Sequence, residues 1–413
     1  MAVPYLSILA PILSMAILTL GNGLFTTFTS LALQSMQASV PTIGVIAALY
    51  FSGLMVGSYW SQRMIIRIGY VRALALFCAA TAACTLLQGL FEYVALWGLL
   101  RFICGYCLAG LFIVIESWLL ASGARETRGR IMAFYLFTYY IAMTLSQLLL
   151  DLPFSSHLAV FALIAVLSSL AVIPVCVSRC EAPRPEAPRI ISLAYLWRRA
   201  PLGVAAGFVS GVALGIVYTV LPLYLAKIGV TTVHIAWVMA ATLLGGTVFQ
   251  LPAGKLSDRF DRRKILVIVS LATFLISMSL LWRYDALAML VLLGFLLGGF
   301  SFTLYPLAIN HTNDDLASGE TLSALAMLTL VYGVGSALGP ILATNAMYQF
   351  GATGVFMVLG LVVGALAVYS VWRVTRHSGG SQSSRSHFVP TAPEAPIVNE
   401  TAITDEPVRA EQT

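Results

Sequence analysis

The chain has 413 residues, of which 59% are hydrophobic and 10% are charged, and its net charge at pH 7 is +6. A soluble domain carries roughly a quarter of charged residues, so this chain cannot cover its apolar surface for water and is predicted to cross a membrane many times. Its basic residues lie between apolar runs, which argues against a nucleic-acid partner and fits the anionic inner leaflet of a lipid bilayer.

Twelve apolar runs are long enough to be membrane-spanning helices, for which about 20 mostly apolar residues are needed. They cover residues 5–32, 41–63, 72–91, 93–120, 130–151, 157–178, 201–226, 233–254, 264–282, 285–310, 320–346 and 352–374. The first run is too long for a signal peptide and has no basic residue before it, so we count it as a span. The predicted fold class is an all-α membrane protein.

The basic residues predict the orientation of the spans. Loops after even-numbered spans are rich in Arg and Lys, whereas loops after odd-numbered spans hold only Lys227 and Arg283. This asymmetry places both termini in the cytoplasm. We predict a multi-pass protein of the bacterial inner (plasma) membrane. The loop after the tenth span is an exception, with Asp314, Asp315 and Glu320 and no basic residue. Acidic residues contribute little to the rule, so the orientation is kept.

A strongly basic segment joins the eighth and ninth spans. It resembles the signature loop Gly-x-x-x-Asp-Arg-x-Gly-Arg-Arg of the major facilitator superfamily, with matches at Gly254, Asp258, Arg259, Arg262 and Arg263. Asp261 stands where that family prefers Gly. A copy 192 residues earlier keeps Arg67, Gly69 and Arg72. The resemblance implies a cytoplasmic gate formed by these residues; a pure topology signal is the alternative.

Residues recur at the same offset of 192 positions, as Ile43 does with Ile235 and Tyr140 with Tyr332. This repeat fits two six-helix halves, residues 1–178 and 201–376, related by a pseudo-two-fold axis along the membrane normal as in that superfamily. The Pro- and Arg-rich segment 179–200 is predicted to be a cytoplasmic linker. The tail 377–413 is rich in Ser, Pro, Glu and Thr, and is predicted to be disordered and cytoplasmic.

Two charged residues lie well inside a span, and such residues are functional candidates by default. Arg101 is predicted to face a central cavity, as the resemblance implies for an Arg of the fourth span; capping the carbonyls of a neighbouring helix is the alternative. Glu116 is about 22 Å further along the same helix, too far for the two to pair directly. Either it pairs with an Arg of the cytoplasmic ring and belongs to the gate, or it carries a coupling proton. The candidate partners are Arg67, Arg72 and Arg128.

Other candidate cavity residues are polar side chains on helices that line the cavity in the family. They are Asn22, Thr26, Tyr140, Tyr218, Thr303, Tyr305 and Tyr332, with Tyr139 and Gln147 as further candidates. A polar side chain in hydrocarbon needs a partner, so each could instead hold two helices together. As a set they predict a mildly polar, weakly charged cavity.

The sequence contains no P-loop, no catalytic constellation and no His cluster with metal spacing, so we expect no enzyme activity, no cofactor and no metal site. Cys104 and Cys107 are predicted to form one turn of a membrane helix. The resemblance implies a monomeric secondary active transporter of a small organic solute that works by alternating access, with protons as the expected coupling ion. A proton-independent facilitator and a non-transporting membrane sensor or assembly factor are the alternatives.

Overall fold

A computed structural model describes residues 5–122, 127–177, 192–282, 284, 286–314, 316 and 321–376. The described residues form helices joined by short turns, with no β-strand among them. The predicted disordered tail and most of the predicted linker lie outside the described residues. Residues 192–200 of the linker are described and contain one short helix.

The helices follow the apolar runs of the sequence. In the first half they are α1 Tyr5–Ser35, α2 Val40–Ile68, α3 Tyr70–Leu90, α4 Val94–Ser122, α5 Arg128–Leu148 with a 3-10 turn at Leu149–Asp151, α6 His157–Leu170 and α7 Ile173–Val177. The linker helix is α8 Leu193–Arg199. In the second half they are α9 Pro201–Thr219, α10 Leu221–Lys227, α11 Thr232–Arg259, α12 Arg262–Ser279, α13 Leu287–Asp314, α14 Thr321–Phe350 and α15 Gly354–Arg376.

Each of the twelve predicted spans corresponds to one helix or to a broken pair, α6 with α7 and α9 with α10. Eleven spans in the described part of the chain are long and apolar enough to cross a membrane. The twelfth is α12, whose 18 residues begin with Arg262, Arg263 and Lys264. These three basic residues lower the apolar content of a short helix. Because α12 packs between α13 and α15, we count it as a span.

The two basic segments are largely helical, which corrects the loops predicted from the sequence. Only Gly69 separates α2 from α3, and its φ of 86° lies in the region that favours glycine. Only Phe260 and Asp261 separate α11 from α12. The Asp261 carboxylate accepts a hydrogen bond of 3.0 Å from the backbone N–H of Arg263. The residue that departs from the family signature therefore caps the start of α12.

The same packing pattern occurs in both halves. In the first half α2 packs on α4, α1 on α5, and α3 on α6; in the second, α11 packs on α13, α9 on α14, and α12 on α15. These pairs are equivalent under the repeat, so the predicted arrangement of two six-helix halves is confirmed. The halves meet where α2 packs on α14 and α5 packs on α11, with smaller contacts of α1 with α9 and α10.

Close helix contacts depend on glycine at both kinds of interface. A Cβ atom at Gly211 or Gly215 of α9 would overlap carbonyl oxygens of α14, so this glycine stripe packs helices within the second half. Between the halves, a Cβ at Gly44 of α2 would lie 2.8 Å from the Pro340 carbonyl oxygen of α14. Small residues let membrane helices approach closely.

Candidate functional site

The depth of the site follows from the contact between α2 and α14, which belong to different halves. Gly44 of α2 faces Thr344 of α14, and Met55, about three turns further along α2, faces Gly333. The two helices therefore run antiparallel. Midway between these contacts, Tyr50 lies beside the turn of α14 around position 338.

Helix α9 runs parallel to α14 and carries a second tyrosine. Its glycines at 211 and 215 face the carbonyl oxygens at positions 332 and 336 of α14, whereas the α14 glycines at 335 and 339 face the carbonyl oxygens at positions 208 and 212 of α9. The average of these contacts places Tyr218, the next-to-last residue of α9, beside α14 at about position 342. Tyr218 therefore lies about one helical turn from the level of Tyr50.

Two aromatic rings hold Arg101 at the level of Tyr50. Its side chain is 1% exposed. Its Cζ atom lies 4.1 Å from the ring centroid of Tyr50 and 4.3 Å from that of Phe25. The Tyr50 hydroxyl donates a hydrogen bond of 3.1 Å to the Asn22 Oδ1 atom. A desolvated cation–π contact is worth about 2 kcal/mol, so these rings stabilise a charge that is costly to bury.

Tyr50 thus joins two predicted cavity residues, Arg101 and Asn22, although the sequence analysis did not single it out. Its repeat partner is Thr242, so a comparison of the two halves gives no reason to select Tyr50 as a site residue. Only the register of α2 on α4 could have found it: a Cβ at Gly105 would overlap the Tyr50 carbonyl oxygen, which sets Tyr50 one turn from Arg101.

Gln147 connects α5 to α1. Its Oε1 atom accepts a hydrogen bond of 2.8 Å from Thr27, and its Nε2 atom donates one of 3.2 Å to the Gly23 carbonyl oxygen. The two predicted threonines bond instead within their own helices. Thr26 donates to the Asn22 carbonyl oxygen at 3.0 Å, and Thr303 donates to that of Phe300 at 2.8 Å. Each hydroxyl oxygen keeps acceptor capacity.

The predicted tyrosines of the second half form two ring pairs. Tyr218 stacks on Phe302 of α13, with centroids 5.4 Å apart and an interplanar angle of 13°. Tyr305 and Tyr332 have centroids 4.3 Å apart, and the Tyr305 hydroxyl lies 3.1 Å from the Thr329 hydroxyl. By the register of α14, this second pair lies about two turns from the level of Arg101, towards the basic segments.

A hydrogen bond between two side chains joins the halves. The side-chain amide of Gln250 in α11 donates to the hydroxyl of Tyr140 in α5, and both side chains are buried. Tyr140 was predicted as a cavity residue, whereas Gln250 was not singled out. A polar side chain inside an apolar span was the available signal for it.

Glu116 is buried, at 4% exposure, and accepts a hydrogen bond of 2.9 Å from the Tyr135 hydroxyl of α5. Among the arginines predicted as its partners, Arg67 and Arg72 are exposed, and neither makes an ion pair with any described residue. The side chain of Arg128 lies outside the described part. Glu116 therefore connects α4 to α5 within the first half.

The basic segment of the second half contains a buried ion-pair cluster centred on Arg262. Its guanidinium lies 2.9 Å from the Asp314 carboxylate and 3.5 Å from that of Asp258, and donates to the Asn310 carbonyl oxygen at 2.6 Å. These contacts join the start of α12 to the ends of α11 and α13. Asp314, which lies in the acidic exception to the loop rule, was not recognised as a partner from the sequence.

The other residues of the two signature segments lie around these junctions. Arg259 is exposed, Gly254 is buried and Arg263 is half-buried. In the first half the repeat partner of Arg262 is Tyr70, which is buried and hydrogen-bonds the Ser117 side chain of α4. A neutral hydrogen bond thus occupies the place that an ion-pair cluster occupies in the second half.

Four buried free cysteines lie on α3 and α4: Cys78, Cys84, Cys104 and Cys107. The thiols of Cys84 and Cys104 are in hydrogen-bond contact across the two helices. Within the described residues, no group of three or more His, Cys, Asp or Glu side chains could hold a metal ion. Cys84 and Cys104 therefore lie at the contact between α3 and α4.

A family model described as Major Facilitator Superfamily matches residues 12–233 and 203–404 of the chain. Curated relatives from Escherichia coli O7:K1 (strain IAI39 / ExPEC) and from E. coli strain K12 / DH10B bear the name "Uncharacterized MFS-type transporter YcaD". Each is 31% identical over 353 residues, which cover 84% of this chain and 90% of the relative.

Three solved structures share the fold. The nucleoside transporter NupG aligns with a TM-score of 0.70 at 14% identity, over 90% of this chain and 99% of its own. A bacterial homologue of the human lysosomal transporter Spinster, inward-facing and occupied, gives 0.71 at 13%, over 91% and 98%. A D-xylose–proton symporter gives 0.70 at 14%, over 89% and 97%. At these identities the likeness shows the fold alone.

Proposed function

Because the chain belongs to the major facilitator superfamily, we propose that it is a secondary active transporter moving a small organic solute across the bacterial inner membrane by alternating access. The two moving parts are residues 1–178 and 201–376, connected by a cytoplasmic linker. Both termini lie in the cytoplasm, as the basic residues between the spans predict. The substrate binds between the halves, near the level of Tyr50 and Arg101.

The observation that carries this proposal is the buried Arg101. A cation at the centre of a membrane helix costs roughly 2.5–3.5 kcal/mol on insertion scales. The repeat partner of Arg101 is Leu293 in α13, so a helix at this position of the fold does not require the charge. A costly charge beside the surface where α1 and α2 meet α9 is most useful as a ligand contact.

The contacts between the halves supply the elements that must separate. In alternating access one half rocks against the other around a fixed midplane site. The interfaces of α2 with α14 and of α5 with α11 then part at one end of the molecule at a time, and the Tyr140–Gln250 hydrogen bond breaks and reforms. Polar interfaces of this kind exchange at low energetic cost because each hydrogen bond contributes only about 0.5–1.5 kcal/mol net.

Proton coupling is the proposed source of energy, with Glu116 in the cytoplasmic gate. The Tyr135 hydroxyl donates a hydrogen bond to the Glu116 carboxyl group and so ties α5 to α4. In the gate, Glu116 holds α4 and α5 together in this conformation and changes partner when the halves move. As a proton carrier, the alternative, it would bind and release the coupling proton.

The test is a solute screen on the purified protein in proteoliposomes, with and without an imposed pH gradient. We expect at least one organic solute to accumulate above its external concentration only when the gradient is present. Equilibration without accumulation would identify a proton-independent facilitator. No uptake of any solute, compared with empty liposomes, would support a non-transporting sensor or assembly factor.

A further inference from the structure

We propose that the short helix α8 binds anionic phospholipid at the membrane surface, with Trp197 among the lipids and Arg198 and Arg199 on the phosphate groups of their headgroups. This interaction goes beyond transport, because it would serve a membrane sensor with the same fold equally well. Three features support it: the position of α8, its two-sided composition, and a second mark of the membrane surface at the end of α15.

A break in the helical backbone places α8 at the end of the helix bundle. Ala200 has non-helical backbone angles (φ −129°, ψ 59°), and Pro201 follows it as the first residue of α9. Proline disfavours helical backbone in the residue before it, so α8 does not continue along the axis of α9. It packs on α9 and α14, with Leu196 and Ala200 fully buried. The helix is therefore fixed to the second half, at the end where α9 begins.

The two sides of α8 differ in polarity. Leu193, Leu196 and Trp197 fall within an arc of about 100° around the helix. Leu196 faces the bundle, whereas Leu193 and Trp197 are 47% and 49% exposed. Arg198 and Arg199 lie outside this arc and are exposed. A helix with Trp and Leu on one side and Arg on the other is typical of the boundary between headgroups and acyl chains.

The end of α15 marks the same boundary independently. Gly203 of α9 faces Thr312 of α13, and the residue before Thr312 lies within electrostatic reach of Arg373. The start of α9 and the end of α15 therefore lie at one level. There Trp372 is exposed, and the Arg376 Cζ atom lies 4.8 Å from its ring centroid. Tryptophan rings are enriched at the membrane–water boundary, so α8 lies at the depth of the lipid headgroups.

The charge of α8 favours an anionic lipid. Residues 192–200 contain two arginines and no Asp or Glu. Each basic residue near an anionic membrane surface raises the affinity about fivefold, and the guanidinium fork matches two phosphate oxygens. In a zwitterionic lipid the ammonium group offsets the phosphate. A soluble acidic protein would match the arginines as well, but it would leave Leu193 and Trp197 without the acyl chains that lie at this depth.

The experiment measures which lipid contacts Trp197 in the full chain. Nanodiscs contain equal amounts of phosphatidylcholine and phosphatidylglycerol, and one of the two lipids carries brominated acyl chains, which quench tryptophan fluorescence on contact. The signal of Trp197 is the difference between the unmodified protein and Trp197→Phe. We expect it to be quenched at least about threefold more when phosphatidylglycerol is brominated than when phosphatidylcholine is.

Another tryptophan supplies the control for this measurement. Trp237 of α11 is also about half exposed, but it lies near the start of α11, at the opposite end from the basic segment. Its signal, obtained in the same way with Trp237→Phe, should be quenched equally by the two lipids.

Variants then assign the preference to α8. Replacing Arg198 and Arg199 together by Gln should remove the preference for phosphatidylglycerol, while the total quenching of Trp197 stays, because the apolar side still lies in the bilayer. The matched control replaces Arg67 and Arg72 by Gln, which removes two exposed arginines of the first half and should leave the preference intact. The ratio of the two quenching values does not depend on how much protein folds.

Three outcomes would overturn the proposal. Equal quenching of Trp197 by the two lipids would show that α8 lies in the membrane without selecting an anionic headgroup. No quenching by either lipid would assign the exposed side of α8 to a protein partner or to another part of the chain. An equal loss of preference in the Arg67 and Arg72 variant would trace the effect to general surface charge.

Discussion

At the scale of single residues, Arg101 is the side chain whose presence the fold explains least. The repeat places Leu293 at its position in the second half, whereas the rings of Phe25 and Tyr50 lie against the Arg101 guanidinium. The chain therefore keeps a charged group where an apolar one would serve the structure.

This comparison leads to the first prediction. Arg101→Leu should insert and fold, because leucine occupies the equivalent position of α13, but it should lower solute uptake at least about tenfold by removing a charge-assisted contact. Uptake per folded protein in proteoliposomes is the measurement, with size-exclusion profiles as the folding control. Full uptake by the Leu variant would show that Arg101 only packs helices.

Glu116 supplies the second prediction. As a gate residue bonded to Tyr135, Glu116→Gln should lose both gradient-driven accumulation and exchange of substrate at equal pH. The measurement compares these two modes in the same proteoliposomes. Loss of accumulation with exchange retained would identify a proton carrier instead. Normal accumulation in the Gln variant would contradict both roles. Tyr135→Phe, which removes the hydrogen bond but keeps the Glu116 carboxyl group, is the control.

The residue scale also shows where sequence reasoning stopped. Arg101, Asn22 and Tyr140 were predicted because charge and polarity stand out in an apolar span. Tyr50 and Gln250 were missed because their roles depend on which turn of a neighbouring helix they face. The pattern of apolar and polar residues along a single helix does not show how that helix is aligned with its neighbour. Gln147 was a candidate cavity residue, but its side chain bonds to Thr27 and joins α5 to α1.

At the scale of elements, helix existence and order were predictable because each span is a long apolar run with distinct ends. The junctions between the helices were harder to predict. The basic segments looked like loops, yet helices continue through them to within two residues of each other. Helix caps and buried ion pairs explain this difference: Asp261 caps α12, and Arg262 is held by groups from three helices. Because these contacts give the charged side chains partners, the basic segment can remain helical.

The Arg262 cluster gives the third prediction. Asp314→Asn should destabilise the protein more than Asp258→Asn, because Asp314 lies closer to the guanidinium and its side chain is 18% exposed against 36% for Asp258. Weakening a partly buried pair should cost about 1–3 kcal/mol for Asp314, and less for the more exposed partner. Thermal unfolding in detergent measures the difference. An equal or reversed order would show that Asp314 is not the stronger of the two partners of Arg262.

Transport measurements distinguish a purely structural role of the Arg262 cluster from a role in the gate. If Asp258 belongs to the gate, Asp258→Asn should reduce uptake while its expression and thermal unfolding stay near those of the unmodified protein. Unchanged uptake would leave the segment with a role in topology and local stability. Arg259→Ala is the matched comparison, since Arg259 is exposed at the same helix end.

At the scale of the whole molecule, the Tyr140–Gln250 hydrogen bond is a polar tie across the interface of the halves. Its removal gives the fourth prediction. Tyr140→Phe should shift the equilibrium towards conformations in which α5 and α11 separate, by about three- to tenfold for a bond worth about 0.5–1.5 kcal/mol. Distances between spin labels on the two halves measure the populations. Tyr305→Phe is the control, because its bond to Thr329 lies within the second half; equal shifts in both variants would contradict the prediction.

The two halves share their helix packing but differ in the chemistry of one equivalent junction. Where α12 meets α13, a charged cluster holds the helices together; where α3 meets α4, Tyr70 and Ser117 share an uncharged bond. Dissolved ions do not act on the neutral bond, and in the charged cluster they reach mainly the more exposed carboxylate, Asp258. Raising the ionic strength of the surrounding solution should therefore loosen only the second half, and only slightly, so the two halves of a duplicated architecture differ in their response to salt.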